Sequence, residues 1–441
     1  MPRKRKRPLD SRIDYTVILP VFLLILIGIV AIYTATSHDN SSSIVSVIIQ
    51  QVVGIVVGCA IAFIVMFFDV ERLWKLTPYL YGSGLVLMVL PLFIYSPALV
   101  ASTGAKNWVS IGSVSLFQPS EFMKIAYILM LARMGVWFKD EYKEEEPSLK
   151  KDGRLILIYL AVTAPVLLLL VLQKDMGTAM VFMAILAGLI VLSGVSWRII
   201  LSALLVAGLG FGLFLLIFTS DWGKEWLYHM GMETYKINRV AAWLDPFAYE
   251  SGIAYQQVQG LISIGSGGLL GKGFNVAELS IPVRESDMIF TVIAEDYGFI
   301  GSIVVILLYL ILIFRMIRIT IESNNVFNTY IATGFIMMIL FHVFENIGAA
   351  IGVLPLTGIP LPFISKGGSS LMSNLIGVGL VLSMSYQNSL AKERRIDKDL
   401  SRSSWNKYWI WNRSWKLVFQ DFFGLKKRWE KHGKMAWNRE R

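Results

Sequence analysis

YTVILPVFLLILIGIVAIYTA, residues 15–35, crosses from one end to the other without a charged side chain. At a helical rise of about 1.5 Å per residue, about 20 apolar residues match the hydrocarbon core of a bilayer. A helix that is hydrophobic all round finds no place on the surface of a soluble domain. Comparable runs recur near 44–68, 79–97, 122–138, 155–172, 176–192, 199–218, 287–314, 327–351 and 371–386. Of the 441 residues, 55% are hydrophobic and only 16% charged, against roughly 25% charged in soluble domains. A soluble protein is excluded, and an all-α polytopic membrane protein of about ten transmembrane helices is predicted.

Charge sets the expected orientation. Alternate threading of the ten runs puts Arg3 to Arg7, Arg72, Lys75, Arg133 to Arg154, Arg198, Arg315, Arg318 and the basic C-terminal tail on one side. By the positive-inside rule that side is the cytoplasm, and both termini belong to it. The other side receives residues 36–43 with no Lys or Arg, residues 98–121 with Lys106 alone, and the long segment 219–286. An odd number of spans would separate the two basic ends. The first run lacks a small-residue cleavage site after it and is expected to remain as a span.

The expected organisation is a membrane domain over 1–390, with 219–286 as a long extracytoplasmic loop, and a basic tail over 391–441 in the cytoplasm. In that tail Lys and Arg alternate with Trp405, Trp409, Trp411, Trp415, Trp429 and Trp437. The pairing suits an anionic leaflet, so the membrane rather than nucleic acid is the expected partner. The mixed-charge stretch 139–154 reads as a solvated loop. Gly54 and Gly58 form a GxxxG face fit for the bundle interior or for a partner helix. Cys59 is the only cysteine, which leaves neither a disulfide framework nor a thiolate metal site.

Two motifs invite assignments that fail. GSGGLLGKG at 265–273 lacks the glycine and the Ser/Thr that a phosphate-binding loop requires, and also the third glycine of GxGxxG. It reads as an outside loop whose glycines permit tight turns and close approach to a ligand. His38, His229, His342 and His432 are scattered and make no metal motif. His342, Glu345 and Asn346 do share one helical face, which suits an interhelical polar cluster.

Charges within spans are costly and mark candidate sites. Glu121 and Lys124 stand one turn apart after Gln118-Pro119-Ser120, a helix start where they can also simply cap and pair. Asp175 lies in a short turn beside Lys174. Asp287 begins the eighth run in RESDMIF, with Glu295 and Asp296 two turns deeper. Most of these acids fall toward the outer face, where Lys236, Arg239 and Lys272 also lie. An acid among outward-facing cations suits a phosphate-bearing substrate reached from the outer leaflet.

NIGAAIGVLPLTGIPLPFISKGGSS at 346–370 closely resembles the signature of the SEDS family (shape, elongation, division and sporulation), the RodA/FtsW-like proteins. GAKNWVSIGSVSLFQPSEFMK at 104–124, QKDMGTA at 173–179, IGSGGLLGKGF at 264–274 and ESDMIFTVIAEDYGFIG at 285–301 agree in order. The TGIPLPFIS stretch looks more RodA-like than FtsW-like. The resemblance implies a peptidoglycan glycosyltransferase that polymerises lipid II, an undecaprenyl-pyrophosphate-linked precursor, at the outer face of the bacterial cytoplasmic membrane during cell elongation. It also implies a class B penicillin-binding protein as crosslinking partner. Asp287 matches the family's essential acid, while Trp108, Glu121, Lys124, Asp175, Arg239 and Gln259 fall where the family holds functional or structural polar residues. Asn107, Lys174, Gly260 and Lys366 depart from the arginine, proline, serine and tyrosine usual at those places.

Transfer from a lipid pyrophosphate releases a good leaving group, so one carboxylate base suffices where a glycosidase needs two. Asp287 is the expected base. Lys124, Arg239 and Lys366, beside Ser365, are the expected partners of the pyrophosphate, and Trp108 either packs on a sugar or anchors at the interface. A divalent cation, magnesium or manganese, could bridge the pyrophosphate, although no dedicated ligand set is visible. Two other functions fit ten charged spans: a flippase for lipid II, or a scaffold for the transpeptidase. A flippase needs a polar path to both faces, and no pair of broken helices in similar halves is evident.

Overall fold

The computed structural model describes residues 12–39, 44–112, 114–220, 222–223, 226, 229, 240–276 and 281–401. The Trp-rich tail, from which membrane attachment was expected, lies outside them. The chain forms two compact units, 1–388 and 389–441. The first carries the architecture below, and the described part of the second continues the last helix to Ser401.

In order, the elements are α1 (Tyr15–Asp39), α2 (Ile44–Val65), α3 (Val70–Phe93), the short α4 (Pro97–Thr103), a hairpin of β1 (Val109–Ile111) and β2 (Val114–Phe117), α5 (Pro119–Glu141), α6 (Leu149–Gln173), α7 (Met176–Leu192), α8 (Trp197–Thr219), α9 (Tyr255–Ser266), α10 (Ile289–Glu322), α11 (Val326–Ala350) and α12 (Gly368–Ser401). Every apolar run in the sequence is thus a helix. Eight of them, α1, α2, α3, α6, α8, α10, α11 and α12, are long and apolar enough to cross a bilayer. The other two runs are α7, with 17 residues, and α5, whose 23 residues include Glu121, Lys124 and Arg133. Among the described residues, the one departure from an all-helical fold is the antiparallel hairpin, paired Val109 to Phe117 and Ile111 to Val114.

Hydropathy misplaced several helix ends. α3 begins at Val70 rather than near 79, and α10 continues to Glu322 rather than ending near 314. These extra turns lie where side chains are charged, and pairs one turn apart, Glu71 with Lys75 at 2.7 Å and Arg318 with Glu322 at 3.4 Å, satisfy them. Hydropathy detects lipid contact, not helical hydrogen bonding.

A larger difference lies inside α10. Gly298 adopts φ 65° and ψ −157°, which breaks the helix into Ile289–Tyr297 and a longer second part. The freed backbone is taken up by the glycine-rich segment: Phe299 N–H donates to Gly268 O at 2.9 Å and Ile300 N–H to Leu269 O at 3.2 Å. Lys272 and Gly273 N–H groups donate to Glu295 O and Asp296 O at 2.9 and 3.1 Å. A Cβ on Gly271 would fall 2.1 Å from Asp296 O. The glycines do permit close approach, as expected, but the surface approached is the chain's own broken helix.

Hydrogen bonds sort the helix ends into two sets. At one end Asp14, just before α1, accepts from Arg315 of α10 at 2.9 Å and Ser385 of α12 at 2.7 Å. Arg12 lies over the rings of Phe67 and Tyr386, 4.6 and 4.0 Å from their centroids, and donates to Met66 O after α2. Asp152 at the start of α6 accepts from Ser196 N–H before α8 at 2.9 Å. At the other end gather the starts of α5, α7, α10 and α12 and the ends of α3, α6 and α11. Between them α5 packs on α3 and α11, α1 on α10, and α7 on α11. The Gly54 and Gly58 face packs inward on α12, where a Cβ at Gly58 would lie 2.6 Å from Leu375 Cδ1. By contrast, α8 buries only Phe218, so its side chains meet lipid.

Burial works against ionisation of Asp14, yet hydrogen bonds from Thr16, Ser385 and Arg315 and the Arg315 charge hold its carboxyl below the ordinary 3.8. A depressed folded value means that the stabilisation is complete above the ordinary carboxylate range and is lost as pH falls through the depressed value. Asp14→Asn should lower stability in detergent by about 1–3 kcal/mol at neutral pH, and thermal melting should show the difference from wild type shrinking below pH 3.8. Gly298→Ala should lower the melting midpoint as well, because its Cβ would fall 2.4 Å from Gly271 N at a positive φ.

Candidate functional site

Asp287 is the last but one residue of a turn, 281–288, that leads into α10. The turn has no ladder of its own to fix it, so neighbouring elements supply its partners. Arg284 is buried, with its guanidinium donating to Glu295 and Ser263. Glu285 O accepts from Lys366 N–H at 2.8 Å, and its carboxylate pairs with Lys366 Nζ at 3.1 Å. Ser286 O accepts from Ser365 Oγ at 2.5 Å. Asp287 O accepts from Asn346 Nδ2 at 2.8 Å, and the same amide donates to Ile359 O at 2.8 Å. Each of four consecutive residues is therefore held by at least one contact from another element.

The Asp287 side chain is half-buried, and Gln256 Nε2 of α9 donates to its Oδ1 at 3.4 Å while also donating to Pro282 O at 2.9 Å. Gly260, where the resemblance would place serine, lets α9 close on the turn, since a Cβ there would lie 2.3 Å from Met288 Cε. Nearby acids are engaged. Glu345 accepts from the Thr357 hydroxyl, and Glu285 pairs with Lys366.

Asp175 anchors the neighbouring wall. Its Oδ1 accepts from Thr178 N–H at 3.0 Å as the N-cap of α7. Its Oδ2 accepts from Thr178 Oγ1 at 2.9 Å, Asn107 Nδ2 at 2.7 Å and Gln118 Nε2 at 3.3 Å. Asn107, which stands in place of an expected arginine, thus docks the hairpin segment on α7 without a positive charge. Trp108 follows it, half-buried, at the base of β1. Lys106 Nζ sits 4.5 Å over the Tyr95 ring.

Glu121 and Lys124 are brought together in the bundle, away from the turn. Lys124 is 2% exposed, pairs with Glu121 at 2.8 Å and contacts His342 Nε2 at 3.1 Å, while His342 Nδ1 bonds Met338 O. Ser373 Oγ donates to Glu121 O at 2.9 Å. This is ion pairing, without a side-chain cap at the helix start, and it leaves Lys124 buried among the helices. The shared face of His342, Glu345 and Asn346 is an interhelical polar cluster, joining α11 to α5, to Thr357 and to the Asp287 turn. Lys366, 31% exposed, and Ser365 do border that turn.

Gln259 is half-buried on α9, and the glutamine that reaches Asp287 is Gln256, three residues earlier on the same helix. Its signal was the i, i+3 spacing from Gln259. Arg284 was missed because an arginine beside an acid in a loop normally reads as solvated. Lys272, counted among the outward cations, pairs with Glu295 at 2.9 Å. Arg239 and Lys236 lie outside the described residues. Among the described residues, no group of three or more His, Cys, Asp and Glu side chains gathers to hold a metal.

A helical membrane bundle carrying one locked, half-exposed aspartate beside a lysine defines a membrane enzyme or carrier for a polar, anionic substrate. The chain belongs to the FtsW/RodA/SpoVE family of cell cycle proteins, whose model matches residues 15–390. It is 33% identical over 390 residues to the peptidoglycan glycosyltransferase MrdB of Escherichia coli, covering 86% of this chain and 95% of the relative. Stage V sporulation protein E of Bacillus subtilis is 29% identical, over 84% of this chain and 96% of its own. Among solved structures, a chain of a peptidoglycan synthase complex that coordinates polymerization and crosslinking superposes with a TM-score of 0.65 at 28% identity, over 85% of this chain and 98% of that one. The rod shape determining protein RodA of Thermus thermophilus gives 0.58 at 27% identity, over 85% and 97%. The protein is thus a multi-pass protein of the bacterial inner membrane.

Asn346→Ala leaves the Asp287 and Ile359 carbonyls without their amide donor. A loss of about 1–3 kcal/mol for each unsatisfied buried carbonyl is expected, read as a lower melting midpoint of the purified protein in detergent.

Proposed function

We propose that this chain is a peptidoglycan glycosyltransferase that polymerises lipid II at the outer face of the inner membrane during cell elongation, beside a class B penicillin-binding protein that crosslinks the product. The observation that carries the reading is the Asp287 turn: a half-buried carboxylate on a segment whose carbonyls at 285, 286 and 287 each accept a hydrogen bond from another element, with the buried Arg284 side chain anchoring its start. A carrier has no use for such fixation of one acid, whereas a general base must keep its oxygen aligned with the proton it removes. The relatives named as peptidoglycan glycosyltransferases support the same substrate class. The relative in a peptidoglycan synthase complex supports the partner. Positive-inside charge supports placing the Asp287 end of the bundle on the extracytoplasmic side, with both termini in the cytoplasm.

In this mechanism the acceptor sugar hydroxyl attacks the anomeric carbon of the donor. A new carbon–oxygen bond forms, the bond to the pyrophosphate breaks, and the bonding pair leaves on the pyrophosphate. The hydroxyl proton goes to Asp287, whose Oδ1 is oriented by Gln256. Lys366, half-exposed and shared with Glu285, and Arg239 serve the pyrophosphate charge. Trp108 offers an aromatic face to a sugar. Glu121, Lys124 and Asp175 act as structure: the first two pin α5 to α11 and α12, and the third pins the hairpin segment to α7. A magnesium or manganese ion would supply charge neutralisation at the pyrophosphate, but the described residues gather no group of three or more His, Cys, Asp and Glu side chains to hold one, and no step is assigned to it.

Asp287→Asn should fold normally and lose polymerisation of labelled lipid II by about 10²–10⁴-fold, measured on gels with and without the partner transpeptidase. Polymerisation at the wild-type rate would remove the assignment. Loss of flipping in vesicles alongside it would favour a carrier.

A further inference from the structure

Beneath the Asp287 turn lies a group of buried charges that the mechanism above leaves unused. Arg284 is 2% exposed, and its Nη2 donates to Glu295 Oε2 at 2.5 Å and to Ser263 Oγ at 2.6 Å. Its Nε donates to Thr291 Oγ1 at 3.2 Å. Ser263 Oγ lies 2.7 Å from the same Glu295 oxygen, and Lys272 Nζ holds the other oxygen at 2.9 Å. Asp296, next along the helix, is equally buried.

Both cations thus pair with the one carboxylate of Glu295, each holding a different oxygen. The parts come from separate elements: Arg284 from the turn, Ser263 from α9, Thr291, Glu295 and Asp296 from the first part of α10, and Lys272 from the glycine-rich segment that fills the break at Gly298. Burying such charges costs several kcal/mol per ion before pairing. Apolar residues would hold these elements together without that cost. What apolar packing would not supply is direction: a guanidinium with three fixed acceptors defines where residue 284 sits, three residues before Asp287.

We propose that Arg284 is a positioning residue for the reaction, which fixes the Asp287 carboxylate by clamping its turn to Glu295, with Lys272 as the counter-charge delivered by the 265–273 segment. The inference rests on Asp287 as the base. Lysine at position 284 keeps the charge but cannot make the forked contact, and glutamine at 295 keeps the shape but not the charge.

The test uses the full chain with its partner, and lipid II as substrate. Arg284→Lys and Glu295→Gln should each lower kcat, by up to about 100-fold for a displacement near 1 Å, while KM stays near wild type. A structural role would instead move the melting midpoint and the folded fraction. Arg284→Ala is expected to fold poorly, so the decisive variant combines Arg284→Met with Glu295→Met, which removes one charge of each sign and leaves Lys272, 20% exposed, within reach of water. Such apolar replacement of a buried pair commonly restores stability. A restored midpoint with kcat still low supports positioning, whereas a restored kcat overturns it. Wild-type kcat in both single variants, with Asp287→Asn inactive, overturns the inference and leaves the base assignment standing. An active Asp287→Asn overturns both.

Discussion

A carboxylate at the edge of a bilayer is useful only if the backbone beneath it cannot relax, because desolvation and nearby lipid offer the side chain many cheaper positions. In this protein the constraint is met by contacts on residues 284–287 that reach α9, α10, α11 and the segment leading into α12. The partners lie on other elements, so the turn forms only when the bundle has assembled. Activity is thereby coupled to tertiary packing rather than to local structure. The TGIPLPFIS segment gains its meaning from this, since Ile359 O shares its Asn346 donor with Asp287 O and Ser365 donates to Ser286 O of the turn.

The interior uses charge in pairs. Lys124 with Glu121 and His342 joins α5 to α11, and Arg284 with Glu295 and Lys272 joins the turn to the broken helix. In a medium of low dielectric an unpaired ion would be prohibitive, so each charge within a span specifies its partner strongly. Helix packing in lipid lacks a hydrophobic driving force between helices, and polar contacts with close glycine faces take over its specifying role. Gly54 and Gly58 against α12 are one such face.

The break in α10 shows how irregular backbone survives in such a bundle. Freed carbonyls and amides at 295–300 are met by main-chain groups of 268–273, which come close because glycine leaves the space. The broken end is therefore saturated by the protein, as membrane burial requires. It also brings Lys272 to Glu295, so that backbone repair and charge pairing are performed by one segment.

The sequence by itself determined the helical membrane class, the order of the apolar runs and the family, because a bilayer imposes a length that a linear reading can detect and the family's motifs are contiguous stretches of chain. It also placed His342, Glu345 and Asn346 on one face by helical spacing. Only the tertiary structure decided that Lys124 is sequestered in the bundle, that Lys272 belongs to Glu295, that Gln256 rather than Gln259 meets Asp287, and that α10 is broken at Gly298. Each of these depends on which distant element supplies a partner. Hydropathy and periodicity report the exposure of a segment to lipid or water, and neither carries information on the pairing of buried charges across the bundle.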